Sequence, residues 1–424
     1  MRQAVTAVFT CKEKVFAIKR QNHLTAFPGY TSFPGGKVDK GETIDQALAR
    51  EVDEELAVKL DSLPINKKIY LGVATTPPFN PYRFETHFYR FELDSEFDFK
   101  VDEGEAETGE WINSADLLKK YQKAEIMAVP PTITLIKALA TNLADIEIEL
   151  DLKYDPEKEV ALIESICGVR QLLPLSKTFP PANRTNAFIL GDDEKILVDP
   201  SPKDDEELAR FLRTAEKVGF DKVFLTHHHP DHHEYAPDIA RARNLPMLMS
   251  ADTHQRILVK WGEDYFRDCK IIYVNEGDVV CKSQGVDVLA YKVPGHDDGQ
   301  IALAPKTFNW FLVSDLIQTV GTVVVGGDEG DMAKYYQSLE KVISKKPRFV
   351  IPSHGIAVGG TFKLEKTLQH RRHREGQIKE LLNKGLLIDE IVPIVYEGLD
   401  PKLLIYARYT VEAHIKKIQA ETQV

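Results

Sequence analysis

The chain is poor in cysteine. It has four in 424 residues, Cys11, Cys167, Cys269 and Cys281, and none forms a Cys-x-x-Cys pair. That excludes a cysteine zinc ribbon and fits a reducing compartment. Long apolar runs are absent as well. None approaches the roughly 18 residues of a membrane span, so no membrane partner is expected. The N-terminal stretch alternates apolar and polar residues and lacks the apolar core of a secretory leader, so a cytoplasmic location is expected. Positive charge is short: 54 Lys and Arg stand against 65 Asp and Glu, a formal net charge of −11. Non-specific binding of nucleic acid would then need a local basic patch. There is no internal repeat and no low-complexity tract.

Histidine, by contrast, is concentrated. The eight residues Thr226-His227-His228-His229-Pro230-Asp231-His232-His233 hold five of the 13 histidines. Lys222 to Leu225 before them reads as a short buried strand, and Pro237 to Ala240 after them as the start of a helix. Reactive groups are often displayed on such loops. In an extended segment residues two apart point the same way, so His227 and His229 can grip one ion. Asp231 and His232 lie where the chain turns and can face a second. His228 and His233 read as supporting or surface residues.

Three later places repeat the pattern. Val293-Pro294-Gly295-His296 puts a histidine in a turn after an apolar run. Phe311-Leu312-Val313-Ser314-Asp315 ends a strand-like run on a carboxylate, and Phe349-Val350-Ile351-Pro352-Ser353-His354 ends another on a histidine. Alone, each would read as structural; four such places in order rarely arise by chance. Imidazole and carboxylate are ligands for zinc and similar ions. Two ions about 3.5–4 Å apart can polarise a carbonyl or phosphoryl oxygen and activate water, so hydrolysis is expected.

His227, His229, Asp231 and His232 match the His-x-His-x-Asp-His signature of the metallo-β-lactamase superfamily, which this part of the chain resembles. The resemblance implies one ion on His227, His229 and His296, a second on Asp231, His232 and His354, and Asp315 between them. It implies two Zn²⁺, or manganese or iron, with Asp231 also placed for catalysis. Asn186 to Leu190, the turn Gly191-Asp192-Asp193 and Ile196 to Pro200 read as an opening hairpin. Asp199 is open to two readings, a support for a ligand or a plain strand end. Glu206 to Val218 reads as a helix. His233-Glu234-Tyr235, where many relatives have small residues, and Ser353, where glycine is common, depart from the pattern.

Near the N-terminus, Gly35, Gly36 and Gly41 mark a loop and Glu42 to Leu56 a helix, with Ile44, Leu48 and Val52 on its apolar side. Glu51, Glu54 and Glu55 gather on one face. They form either a solvated acidic face softened by Arg50 or a seat for a hard cation such as Mg²⁺. The spacing resembles the Nudix box, G-x5-E-x7-R-E-U-x-E-E-x-G-U, where U is bulky and apolar. Gly36, Glu42, Arg50, Glu51, Val52, Glu54, Glu55 and Val58 fall in place. Ala57 replaces a glycine at the helix end, where a left-handed backbone is often needed. The resemblance implies hydrolysis of a nucleoside diphosphate-linked substrate, with Mg²⁺ or Mn²⁺ on Glu51, Glu54 and Glu55. Glu54 is also the catalytic candidate, and Gly36, Glu42 and Arg50 brace the loop and helix. Gly29 to Gly36 with Arg20 resembles part of the coenzyme A diphosphatase signature, although Thr25 stands where that signature has a second arginine. Glu107 or Glu110 is either a further candidate for a base or part of a solvated acidic loop, and His87 reads as structural.

The last residues read as helices, Gln369 to Leu382, Leu387 to Tyr396 and Pro401 to Ile418, the first rich in Arg371, Arg372 and Arg374. They resemble the winged-helix-like tail of the lactamase-beta-like protein 2 group, which includes a single-strand endoribonuclease. The expected class is thus α/β. A Nudix α/β/α sandwich (1–145) and a linker (146–165) precede a metallo-β-lactamase αβ/βα sandwich (166–362) and a small helical domain (363–424). The expected function is a bifunctional metal-dependent hydrolase acting on a nucleotide or coenzyme A-type substrate, its second half cleaving a thioester or phosphodiester. The alternative is an RNA-processing protein acting on single-stranded RNA.

Overall fold

The computed structural model describes residues 1–80, 82–141 and 146–422. The chain divides into two compact units, Met1–Arg170 and Gln171–Val424. The domain end expected at 145 falls outside the described residues.

In the first unit the alternating N-terminal residues form β1 (Arg2–Cys11) and β2 (Lys14–Arg20), joined through Lys12 at φ 52°. With β3 (Thr31–Ser32), β4 (Ile65–Thr75), β5 (Phe84–Leu93) and β6 (Ala106–Asn113) they make one sheet, ordered β3-β2-β1-β5-β4 with β6 also on β2. Only β1 and β5 pair in parallel. Alternation along β1 serves two faces. Val5, Ala7 and Phe9 meet Leu48, Val52 and Leu56 of helix α1 (Ile44–Leu56). Val8, on the other face, joins Leu117 of α2 (Ser114–Gln122) and Leu135 and Ile136 of α3 (Pro130–Ala140). This is the expected α/β/α sandwich.

The start of α1 is fixed by a capping box between Thr43 and Gln46. Its end is Ala57, at φ 52° and ψ 38°. The residue that departs from the Nudix pattern therefore adopts the left-handed conformation that glycine would adopt without cost. The stretch expected to be a linker, 146–165, packs on the first unit instead. Ile148 N–H donates to Leu71 O at 2.7 Å, and Leu150 is buried in the α2–α3 core. Its charges had masked two well-placed apolar residues. β7 (Leu162–Ile166) is the last strand that lies wholly before the division.

The second unit opens with β8 (Val169–Leu172), at the division. One sheet holds, in order, β13 (Lys270–Tyr273), β12 (Pro246–Met249), β11 (Lys222–Phe224), β10 (Ile196–Val198), β9 (Ala187–Leu190) and β8. The other runs β14 (Val279–Ser283), β15 (Val286–Lys292), β16 (Ile301–Pro305), β17 (Trp310–Ser314), β18 (Phe349–Pro352) and β19 (Val358–Gly359). Every residue of β9, β10, β16, β17 and β18 is buried, so both faces of these strands are covered. α4 (Asp205–Val218), α5 (Pro230–His233), α6 (Ala236–Arg243), α7 (Ala251–Trp261) and α8 (Met332–Ser344) complete the αβ/βα sandwich.

Three helices follow, α9 (Phe362–Asn383), α10 (Ile388–Val395) and α11 (Leu404–Thr422). They share a small core of Ile378, Ile391, Val392 and Val411. α9 starts seven residues before the expected Gln369, because Leu364 and Leu368 of its first turns enter the core beneath β17 and β18. No described helix is long and apolar enough to cross a membrane.

Replacing Ala57 with glycine removes a left-handed alanine, a strain of roughly 1 kcal/mol. Ala57→Gly is expected to raise the stability of the first unit by about that amount in chemical denaturation. An unchanged or lower midpoint would show that the conformation carries no strain.

Candidate functional site

The strand directions of the second unit bring the predicted donors together. β15 and β17 each run antiparallel to β16, and β18 runs parallel to β17, so all three end at the same edge. His296 follows β15, Asp315 follows β17 and His354 follows β18. β11 delivers the histidine cluster from the other sheet, and Ile301 N–H donates to Thr226 O at 2.9 Å where the two sheets meet. Asp231 and His232 sit on the short helix α5.

Seven donors converge there, in the two sets that the resemblance implies. The Nδ1 of His229 lies 2.9 Å from His227 Nε2 and 3.0 Å from His296 Nε2. Asp231 Oδ2 lies 3.8 Å from His232 Nε2 and 3.6 Å from His354 Nε2. Asp315 Oδ2 stands between the sets, 3.7 Å from His296 Nε2, 3.7 Å from His232 Nε2 and 3.3 Å from His354 Nε2.

Each ligand histidine has its other nitrogen engaged. His227 Nδ1 lies 3.1 Å from Thr226 Oγ1 and His232 Nδ1 2.9 Å from Asp199 Oδ2. His296 Nδ1 faces Val324 O at 2.7 Å, and His354 Nδ1 faces Arg184 O at 2.9 Å. His229 is turned the other way, with its Nε2 3.1 Å from Glu329 Oε2. An acceptor on one ring nitrogen keeps the proton there and leaves the other lone pair facing inward. The residues fit a pair of cations. The buried Nε2 of His232 has no hydrogen-bond partner in the protein, as a ligand atom should.

Electrostatics separates the two sets. Burial, reinforced by neighbouring histidines, pushes His227 well below its ordinary pKa and His296 down to about 4, so both are neutral donors. Burial also opposes charge on His232, but Asp231, Asp315 and Asp199 outweigh it and hold its pKa well above the ordinary value. Asp315 is held well below the carboxylate range; burial opposes this, and His354 and His232 overcome it. Asp315 and Asp231 likewise outweigh burial at His354 and raise its pKa.

Asp199 is thus the support for His232, which settles the reading left open by the sequence. It also accepts from Thr226 N–H at 2.8 Å and Thr226 O–H at 2.6 Å. His228 and His233 are both buried. His228 sits between Asp297 and Glu329 and is pushed up to about 9; burial opposes this, and the two carboxylates outweigh it. His233 Nε2 lies 2.9 Å from His228 O and its Nδ1 2.7 Å from the Tyr265 hydroxyl. Asp297, Glu329 and Thr185, which bonds Asp231 at 3.0 Å, escaped the sequence reading. Asp297 follows His296 and could have been suspected; Glu329 lies in a loop without pattern.

In the first unit, Arg50 is the hub. It donates to both oxygens of Glu42 at 2.9 and 3.0 Å, to Glu51 and Glu54 at 2.9 Å each, and to Lys37 O at 2.8 Å. A Cβ on Gly36 would lie 2.4 Å from Glu51 Oε1, so a side chain there would displace that carboxylate. Glu55 accepts from Gly35 N–H at 3.1 Å, and burial pushes its pKa up to about 8. Among the described residues, the sets whose ligand atoms all lie within 4.8 Å of one another are in the second unit. Glu51, Glu54 and Glu55 form no such set; Glu51 and Glu54 both accept from Arg50, and Glu55 accepts from Gly35 N–H. Glu107 pairs with Lys19 and Glu110 with Lys120. His87 lies within β5, 3.4 Å from the Tyr70 hydroxyl.

The arginines of α9 form no common surface. Arg371 is buried and donates to Val323 O, Arg372 pairs with Glu340, and Arg374 donates to Val395 O.

Two outcomes are expected. Removing the carboxylate that orients a ligand histidine typically costs about 10–100-fold in metal affinity. Asp199→Ala should therefore weaken one ion by that factor and spare the other, as read by metal titration; equal loss of both would refute the assignment. In metal-free protein, Glu55 is protonated when folded and ionised when unfolded between its ordinary 4.5 and about 8. The unfolded state binds fewer protons there, so stability falls as pH rises through that window. Denaturation of Glu55→Gln in a chelator should show a weaker decline; parallel curves would show that Glu55 is not the source.

Comparison with known proteins agrees with this geometry. Residues 1–129 match the NUDIX domain, 180–354 the metallo-beta-lactamase superfamily and 388–424 the beta-lactamase associated winged helix domain. A beta-lactamase-like protein 2 homolog of Drosophila melanogaster is 27% identical over 253 residues, 56% of this chain and 82% of the relative. An atrochrysone carboxyl ACP thioesterase of Claviceps purpurea is 23% identical over 228 residues, 51% of this chain and 68% of the relative. A crystal structure of a beta-lactamase domain protein from Burkholderia ambifaria shares the fold, with a TM-score of 0.53, 17% identity, and 63% of this chain on 91% of that one. The chain therefore joins a NUDIX domain to a metallo-beta-lactamase superfamily domain with its associated winged helix, and it is a hydrolase.

Proposed function

We propose that the chain is a bifunctional hydrolase of coenzyme A-type nucleotides. The NUDIX half cleaves the diphosphate and the metallo-beta-lactamase half cleaves an acyl thioester. The observation that carries the second half is Asp315 Oδ2, set between two donor groups at 3.3 to 3.7 Å from three imidazoles. His227, His229 and His296 would hold one ion; Asp231, His232 and His354 the other, with Asp315 between. Divalent ions held there supply Lewis-acid polarisation of a carbonyl and activation of water near neutral pH. The chain's own residues keep the donors in one protonation state. Asp199, Val324 O, Arg184 O and Glu329 each fix an imidazole proton away from the centre. Thr185 holds Asp231 in place, so Asp231 acts as a ligand more readily than as a free base.

In the NUDIX half, Glu51, Glu54 and Glu55 would hold Mg²⁺ or Mn²⁺, with Glu42 and Arg50 bracing the helix against the loop. Glu54 is the most exposed of the three and the best placed to meet a diphosphate. Gly29 to Gly36 and Arg20 support a coenzyme A-type substrate by their resemblance to that signature. The relative named as an ACP thioesterase supports a thioester for the other half. The single-stranded RNA alternative rests on the winged helix alone, because Arg371, Arg372 and Arg374 are engaged within the protein.

Product analysis by mass spectrometry tests the reading. An acyl-coenzyme A is incubated with the protein, Mg²⁺ and either Zn²⁺ or Mn²⁺. A phosphopantetheine fragment lost in Glu54→Gln, and free acid with free thiol lost in Asp315→Ala, are expected. Intact substrate under every metal would overturn the coenzyme A assignment.

A further inference from the structure

The loop between β17 and α8, residues 315–331, holds one motif residue, Asp315. It nevertheless serves three histidines. Val324 O faces His296 Nδ1 at 2.7 Å. Glu329 divides its carboxylate between two imidazoles, Oε1 at 2.9 Å from His228 Nε2 and Oε2 at 3.1 Å from His229 Nε2. His229 is the ligand whose Nδ1 faces the other donors, whereas His227, His232, His296 and His354 present Nε2. A neutral imidazole has one N–H and one lone pair, so a carboxylate on Nε2 keeps the proton there and frees Nδ1. His228 is held on its far side by Asp297, which fixes Glu329 between two partners.

The C-terminal helices fix this loop. Gly326 passes so close to α11 that a Cβ would lie 2.2 Å from Tyr409 O. Gly330 folds back on Gly326, its N–H donating to Gly326 O at 3.2 Å, and a Cβ there would lie 1.9 Å from Gly326 N. Arg371 of α9 is buried, donates to Val323 O and lies over the Tyr335 ring at 5.8 Å. At the other end, Asp331 N–H donates to Gly295 O at 2.9 Å, within the turn that carries His296. Both glycines approach backbone, which cannot yield as a flexible side chain can.

We propose that Glu329 is a positioning residue of the metal centre: it selects the Nδ1-binding form of His229, from a loop held by the winged-helix segment. This rests on the reading that His227, His229 and His296 hold an ion. The last helices are then part of the hydrolase's own site.

The test uses the full chain and two variants, Glu329→Ala and the isosteric Glu329→Gln. Zn²⁺ affinity is measured by titration against a competing chelator, and the visible absorption of the Co²⁺-loaded proteins is recorded. Thermal melts of the metal-free proteins control for folding. The expected result is one ion weakened by about 10–100-fold, the other unchanged, and an altered Co²⁺ spectrum. Replacement by aspartate should recover part of the loss. Two ions bound with unaltered affinity and an unaltered spectrum in both variants would overturn the proposal. So would equal weakening of both ions together with a lowered melting point, the signature of a structural role. If the unmodified chain binds no Zn²⁺, the metal-centre reading itself fails and the proposal falls with it; that outcome is read before any variant is compared.

Discussion

A buried imidazole has to place two nitrogens, and the second unit does this for five histidines in the same manner. One nitrogen of each meets an oxygen: Thr226 for His227, Glu329 for His229, Asp199 for His232, Val324 for His296 and Arg184 for His354. The other is aimed at a shared interior. These inward nitrogens stand 2.9 to 3.0 Å apart in one set and face carboxylates in the other. Everything around them serves to keep that arrangement from relaxing. The two strand ends nearest the centre turn through left-handed residues, Asp199 at φ 49° and Ser314 at φ 52°. Such conformations persist only where the surroundings dictate them.

The NUDIX helix handles the same problem of crowded charge differently. Three glutamates on one helical face repel, and the protein answers with a guanidinium from the same helix and with burial of Glu55. Arg50 draws Glu42, Glu51 and Glu54 around a single planar fork, which suits arginine and not lysine. The acidic face is therefore organised before any cation arrives.

The donors themselves were legible in the sequence because each follows a buried strand, and strand direction carries them to one edge. What held them was not. Glu329 lies in a loop of glycines and acids without period, and Asp297 was passed over beside a more conspicuous histidine. The arginines of α9 are neighbours in the sequence, whereas a helix turns about 100° per residue. Arg371 thus points into the core while Arg372 points out. Ala57 shows the opposite case. A single departure from a motif identified in advance a position with unusual backbone, and the left-handed conformation is there. Residues 146–165 were misread because charge density hid Ile148 and Leu150.

The ligands leave their strands almost at once: Asp315 directly after β17, His354 two residues after β18. The metal frame is therefore a property of the sheets, and the intervening loops are free of it except where they supply an acceptor oxygen. Loops of that kind can lengthen, shorten or change character while the donor residues stay where they are. A single inorganic core could in this way be re-roofed for quite different organic substrates.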